Sequence, residues 1–181
     1  MLKVIAGQNR GRRIIFPFDE INARPTSSLV KESVFNIIQF DITECRFLDL
    51  FFGSGQIGIE ALSRGADYVT FVDKDRFCKK YLLKNLNDMN IKSRFEIINM
   101  DAVLYISKCE KKFDIVFLDP PYNFGLSEKI LKNIVKNLNE NGIIIVETEK
   151  NEILKEKYNG VWLFKDYVYG KKKLTVFKTD I

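Results

Sequence analysis

Asp119-Pro120-Pro121-Tyr122 sets a carboxylate, a rigid turn and an aromatic face directly after the apolar run 113–118, which reads as a strand. Proline fixes φ and carries no backbone N–H, so the doublet leaves carbonyl oxygens that cannot extend a sheet ladder and are open as acceptors. Asp119 adds an anionic acceptor. The two N–H donors of an exocyclic nucleobase amine match such a set. Tyr122 offers a face on which the ring could stack, worth about 1–3 kcal/mol, and Phe124 offers a second unless its ring joins the core. An Asp-Pro pair also opens ordinary turns, so the choice rests on a second feature.

That feature lies at residues 49–58. Gly53, Gly55 and Gly58 satisfy G-x-G-x-x-G between an expected strand, 46–51, and an expected helix, 57–64, and Asp73 follows Gly53 by twenty residues at the end of the next strand. Glycine lets a ligand approach the backbone and permits positive φ; an acid at this spacing accepts from ribose hydroxyls. Dinucleotide sites and S-adenosylmethionine sites share the pattern. Asp49, ahead of the glycines, favours the second, because a sulfonium and an ammonium attract an acid that a pyrophosphate would repel. In the plainer reading Asp49 caps a turn and Gly58 serves helix packing. Asp101, after the expected strand 95–99, can reach an adenine amine or cap the following helix. Together these positions occupy one rim of a parallel sheet, where open α/β sheets bind ligands.

The elements that must position these groups alternate. Strand and turn elements are expected over 3–18 and a helix from Ser27 or Ser28 to Gln39, with Leu29, Val34, Ile37 and Ile38 toward the core. Then follow strands 68–72, 95–99, 113–118 and 142–147, with helices 75–89, 102–109 and 127–139 between them. Asn141-Gly142 reads as the turn from the last helix into its strand. Two tail strands, 161–165 and 173–178, flank a loop with Tyr169-Gly170. The pattern is α/β with a doubly wound sheet, divided into an extension, 1–40, and a main domain, 41–181.

Composition bounds the rest. The 181 residues, 46% hydrophobic, suit one compact domain with an appendage. No apolar run approaches the roughly 20 residues of a membrane span, and the first residues read as a strand and not as an export leader, so a cytoplasmic protein is expected. Cys45, Cys78 and Cys109 are odd in number and widely spaced, and histidine is absent. Neither a disulfide framework nor a zinc site is suggested, and hydrolases built on histidine are excluded. The net charge of +5 sits at the chain ends: residues 1–36 carry six basic and three acidic side chains, residues 165–181 five and two. Such ends suggest a polyanion partner, and Arg10, Arg12, Arg13 and Arg24 are candidate contacts to its phosphates, since guanidinium forks match phosphate oxygens. The run Lys171-Lys172-Lys173 reads equally as a solvated face or a phosphate contact.

The chain resembles the Asp-Pro-Pro-Tyr amino methyltransferases and, more narrowly, the bacterial small-subunit (16S) rRNA guanine-N2 methyltransferases. Besides the rim motif with its preceding Phe117-Leu118, the narrower resemblance rests on Val4-Ile5-Ala6-Gly7, Gly11-Arg12-Arg13, Arg24-Pro25-Thr26, the block from Val30 to Ile37, and the block from Glu60 to Ala66. The resemblance implies a Rossmann-like class I S-adenosylmethionine methyltransferase fold closed by an antiparallel hairpin. It implies a cofactor held by Asp49, Gly53, Gly55, Asp73 and Asp101, and an amine pocket of Asp119, Pro120 and Tyr122. The implied substrate is one guanine of 16S rRNA, in a partly or fully assembled small subunit, and the expected state is a monomer. Phe52 departs from the small residue usual in the family, so its ring must point away or the cofactor loop must shift; Asp73 stands for a longer Glu. The rivals are a DNA adenine or cytosine methyltransferase, which usually needs more sequence to read bases, a protein glutamine methyltransferase, which usually carries Asn where Asp119 stands, and a non-enzymatic assembly factor. An NAD-dependent oxidoreductase would leave the amine pocket unexplained.

Overall fold

A computed structural model of the chain describes residues 2–18, 26–121 and 125–179. A short antiparallel ribbon, β1 (Leu2–Lys3) with β2 (Arg13–Ile14), precedes helix α1 (Ser28–Ile37). The alternating part runs β3 (Arg46–Leu50), α2 (Gln56–Ser63), β4 (Tyr68–Asp73), α3 (Arg76–Asp88), β5 (Phe95–Asn99), α4 (Ala102–Lys108), β6 (Phe113–Leu118) and α5 (Leu126–Leu131). A 3-10 turn, Ile134–Asn137, leads into β7 (Leu138–Glu149), followed by β8 (Lys157–Tyr158), β9 (Val161–Tyr169) and β10 (Lys172–Thr179).

The sheet order is β5-β4-β3-β6-β7-β10-β9-β8. Strands β5, β4, β3, β6 and β7 pair in parallel, and β10 closes antiparallel against both β7 and β9. From β3 the chain winds outward to β4 and β5, then returns to the other side of β3 at β6. The carboxyl ends of β3 and β6 therefore flank the switch point at which doubly wound sheets form their ligand crevice.

Period-2 alternation splits each central strand between two cores. Phe47, Phe71, Ile115 and Ile145 join α1, α2, α3 and the ribbon on one face; Leu48, Val72, Val116 and Ile144 join α4 and α5 on the other. Burial on both faces explains why these strands read as nearly unbroken apolar runs.

Three expectations are corrected. Leu29, placed on the core stripe of α1, is 60% exposed, while Val30 and Phe35 are buried in its place beside Val34 and Ile38. The helix expected over 127–139 ends at Leu131, because the fully buried Asn137 donates through Nδ2 to the carbonyls of Cys109 and Lys111 (2.8 and 2.9 Å), which fixes a tight turn and starts β7 at Leu138. Asn141-Gly142 therefore lies inside β7 and not before it. Asn141 takes φ +61°, and the β6–β7 register shifts between Phe113 and Ile115 to absorb the irregularity. Among the described residues no helix is long and apolar enough to cross a membrane.

The extension is held by one buried acid. Glu60 of α2 accepts the N–H groups of Ile5 and Ala6 (2.8 and 2.9 Å) and Nε of Arg64 (2.9 Å), and Lys31 Nζ lies 3.7 Å from its other oxygen. Lys31 also donates to the Lys3 carbonyl at 2.6 Å. On α3, Asn85 pairs with both the N–H and the carbonyl of Ile15 at 2.9 Å.

Candidate active site

A cleft of about 970 Å³ opens over the carboxyl ends of β3, β4 and β6 and the start of α4. Asp49, Gly53, Asp73, Asp101, Asp119 and Pro120 all line it, with Phe16, Thr26, Gln56, Lys129, Lys171 and Lys172. Its size lies in the range of small-molecule sites.

Each group has a local reason for its place. β3 is followed by Phe51 at φ +61°, a left-handed conformation costly for an aromatic residue, tied by its N–H to the Val72 carbonyl at 2.9 Å. The chain then turns through Gly53 (φ +50°) and Gly55 (φ +73°) into α2. Gly58, inside α2, has no room for a side chain, since a Cβ there would fall 2.2 Å from the Phe71 ring. Its role is packing. Gly55 does not line the cleft; a Cβ on it would meet Leu82 at 2.5 Å. Phe52 resolves its departure by pointing inward, edge-on to Phe71 at 5.7 Å between centroids, while still bordering the cleft.

The acids are tied to this turn. Asp49 is buried and accepts from the Gly58 N–H at 2.9 Å. Burial pushes its carboxyl up to about 8, the Gly58 hydrogen bond opposes the shift, and the Asp119 and Asp73 carboxylates add to it. Asp73 bridges β4 to the turn, accepting from Gly53 N–H at 3.1 Å and Asp75 N–H at 2.9 Å; burial raises its carboxyl as well. A carboxylate has roughly four acceptor positions, so both bonds leave Asp73 with capacity toward the cleft. Asp101 does cap α4, accepting from Leu104 N–H at 3.0 Å, and borders the cleft at the same time.

Across the switch point, Asp119 follows β6 with its N–H directed to the Leu50 carbonyl at 3.5 Å. Thr26 donates to its Oδ2 at 3.5 Å, and burial raises its carboxyl to about 6 against the pull of Lys172 and Thr26. Behind it, buried Glu147 of β7 is paired with Lys172 of β10 at 2.7 Å. Burial, reinforced by Asp119, pushes Glu147 up to about 9. Glu147 is not singled out by the sequence reading, although an acid inside the apolar run 143–148 is a visible signal, and Lys172 is read there only as part of the lysine run 171–173. Thr26 and Gln56 were also missed. Gln56 Nε2 donates to the Thr26 carbonyl at 3.2 Å, and its buried Oε1 has no partner among the described residues.

Tyr122, Phe124 and Arg24 lie outside the described residues. Arg10, Arg12 and Arg13 are exposed, and none borders the cleft; the Arg12 guanidinium donates to the Asp88 carbonyl at the end of α3. The cysteines are free and buried, and burial drives Cys45 and Cys78 up to about 12.

A glycine turn and acids on one side of the switch point, with an acid-proline exit on the other, define a Rossmann-like class I methyltransferase architecture. A family profile described as "Conserved hypothetical protein 95" matches residues 2–178, and the chain belongs to that family. It is 37% identical over 180 residues to "Ribosomal RNA small subunit methyltransferase D" of Haemophilus influenzae, covering 92% of this chain and 93% of that one. It is 35% identical over 150 residues to the protein of the same name from Escherichia coli K12, covering 82% and 75%. Among solved structures, the Escherichia coli chain described as "Putative methyltransferase yhhF" superposes with a TM-score of 0.89 at 30% identity, covering 99% of this chain and 98% of that one.

Proposed function

We propose that this chain transfers a methyl group from S-adenosylmethionine to the exocyclic N2 amine of a guanine in small-subunit rRNA. The observation that carries the reading is the sharing of one cleft by Asp49, with its neighbouring acids, and Asp119-Pro120. The names of the relatives support rRNA as substrate; the Asp119-Pro120 exit supports an amine as acceptor.

The residues present fit the cofactor. Asp49 is a buried acid whose ionisation its acidic neighbours resist, a state that a cationic ligand relieves. The unpartnered Gln56 Oε1 on the same wall suits an ammonium. Asp49 would face the cationic groups, Asp73 the ribose and Asp101 the adenine amine, with Gly53 and Gly55 shaping the turn. When bound, the cofactor supplies an electrophilic methyl on sulfur.

The chain's own part is positioning. The Asp119 carboxylate and the Pro120 carbonyl accept the two N–H bonds of the guanine amine and draw its nitrogen toward pyramidal geometry, which localises the lone pair. Tyr122 stacks on the ring of a base taken out of its helix. Once methylated, the amine would be strongly acidic, and Asp119 or a water would take its proton. Holding the reactants in register can remove roughly 7–11 kcal/mol of barrier. Residues 1–40 form the RNA-facing extension, through Arg10, Arg12, Arg13 and Arg24, and residues 41–181 the catalytic domain. The protein acts as a cytoplasmic monomer on the ribosomal particle.

The test is transfer of labelled methyl to hypomethylated small subunits and to naked rRNA, followed by nucleoside analysis, with Asp119→Ala as control. N2-methylguanosine made by the wild type and lost in Asp119→Ala, with cofactor binding retained, supports the reading. Label in another nucleoside, or equal activity in the variant, overturns it.

A further inference from the structure

The last two long strands carry a surface that the catalytic cleft does not use. Apart from Lys171 and Lys172, which line the cleft, and the buried Lys173, this part of the chain carries Lys157, Lys165 and Lys178 along that surface. The aromatic residues of β9 lie among them. Trp162 is 43% and Phe164 59% exposed. Three of the rings have an ammonium over them: Lys157 lies 3.7 Å from the centroid of Trp162, Lys178 4.4 Å from Phe164, and Lys165 5.0 Å from Tyr167.

A bulge aligns them. β9 pairs with β10 as Trp162↔Lys178, Leu163↔Phe177 and then Lys165↔Val176, so Phe164 is the extra residue. Directly paired residues share a face of the sheet. Lys178, Val176, Leu174 and Lys172 alternate along one face of β10, which puts Trp162, Lys165, Tyr167 and Tyr169 in one row, with Tyr167 and Tyr169 partly buried against the core of that face and Trp162 and Lys165 exposed beyond it. Without the bulge, residues 162 and 165 would point to opposite faces. Lys157, paired with Trp162 from β8, widens the row. Its upper end, at Tyr169 and the turn before Lys171 and Lys172, meets the Asp119 side of the cleft. From there it descends about 20 Å to Trp162, six paired steps at roughly 3.3 Å each.

Bulges and lysines also guard sheet edges against pairing with other chains. Edge protection does not call for a ring under each ammonium. Aromatic faces interleaved with cations are the chemistry of sequence-tolerant single-stranded nucleic acid binding, in which bases stack and phosphates meet the ammonium groups. We propose that this face of β9 binds single-stranded RNA running away from the guanine held at Asp119. The inference rests on RNA being the substrate.

Trp162 is the only tryptophan, so its emission reports the strip directly. The intact protein is titrated with a short single-stranded RNA of mixed sequence, and affinities of Phe164→Ala and of Lys157→Ala with Lys178→Ala are read by anisotropy of the labelled RNA. The expected result is saturable, salt-sensitive quenching of Trp162. Affinity should fall about tenfold in each variant, with melting temperature and S-adenosylmethionine binding unchanged. RNA that binds without quenching and with equal affinity for the variants would overturn the proposal. So would a concentration-dependent change in Trp162 emission without RNA, which would mark a second copy as the occupant, or quenching by small-subunit proteins but not by RNA. Quenching and weakened variants without any methyl transfer would leave the strip standing and sink the enzymatic reading; transfer to rRNA unimpaired in the variants at limiting substrate would do the reverse.

Discussion

Lys172 Nζ lies 2.7 Å from Glu147 Oε1, and its charge also acts on Asp119, so one ammonium serves two acids at neighbouring strands on one side of the cleft. In the role proposed for it Asp119 must be ionised to accept from an amine, and its carboxyl is placed near 6 because burial raises it while Lys172 lowers it. Lys172→Met should therefore move the acid limb of the kcat/KM profile up by about one pH unit, the low end for loss of a nearby opposite charge. Glu147→Gln should leave it in place, since a carboxyl pushed up to about 9 is already protonated where Asp119 titrates. Shifts of the same sign in both variants would show that the pair acts only through structure.

Asp49 gives a linkage prediction. Its carboxyl stands near 8 against an ordinary 3.8, so the ligand-free folded protein holds a proton at pH 7 that the unfolded chain has lost. The associated stability is present at low pH and declines as pH rises toward 8. Asp49→Asn should flatten that decline in thermal melts. A cation entering the cleft favours the ionised acid, so S-adenosylmethionine binding should release protons and tighten from pH 6 to 8. Calorimetry in buffers of different ionisation enthalpy checks this; S-adenosylhomocysteine, lacking the sulfonium charge, should release fewer.

Gly58→Ala forces a Cβ to within 2.2 Å of the Phe71 ring, an overpacking cost of about 1–3 kcal/mol. Chemical denaturation should show the loss, and adding Phe71→Leu should recover part of it. Full stability in Gly58→Ala would remove the packing role.

Glu60→Gln leaves Lys31 buried without its counter-charge. A loss of about 3–5 kcal/mol is expected, with earlier cleavage of the ribbon in limited proteolysis than of the sheet. Unchanged protease resistance would mean that the ribbon is held by its apolar contacts alone.

The central sheet was legible because its strands are buried on both faces and the helices between them alternate regularly. The glycine turn, Asp49, Asp73, Asp101 and Asp119 were legible because each stands at or just beyond the carboxyl end of a strand. The 127–139 segment misled because the Asn137 side chain, reaching two carbonyls on another element, outweighs local helix propensity. Leu29 misled because the face α1 buries is set by what packs on it, not by the position of its apolar residues alone. Lys172 looked like one member of a surface lysine run; only the β7–β10 pairing shows Glu147 beneath it. The bulge at Phe164 leaves no mark in the sequence, so the alignment of Trp162 with Lys165 could not be read there.

The cleft also has a polarity. Asp49, Asp73, Asp75 and Asp101 outnumber Lys74 on the β3–β5 side, while Lys129, Lys171 and Lys172 outnumber Asp119 and Glu149 on the other. A single opening thus sorts two ligands of opposite charge to opposite walls before any hydrogen bond forms. A polyanion that strayed to the acidic wall would be repelled, and a small cation would find little to hold it among the lysines. Loss of positive charge from the small ligand during the reaction weakens its attraction to the acidic wall, so turnover itself loosens the spent molecule while leaving the electrostatic hold on the polyanion intact.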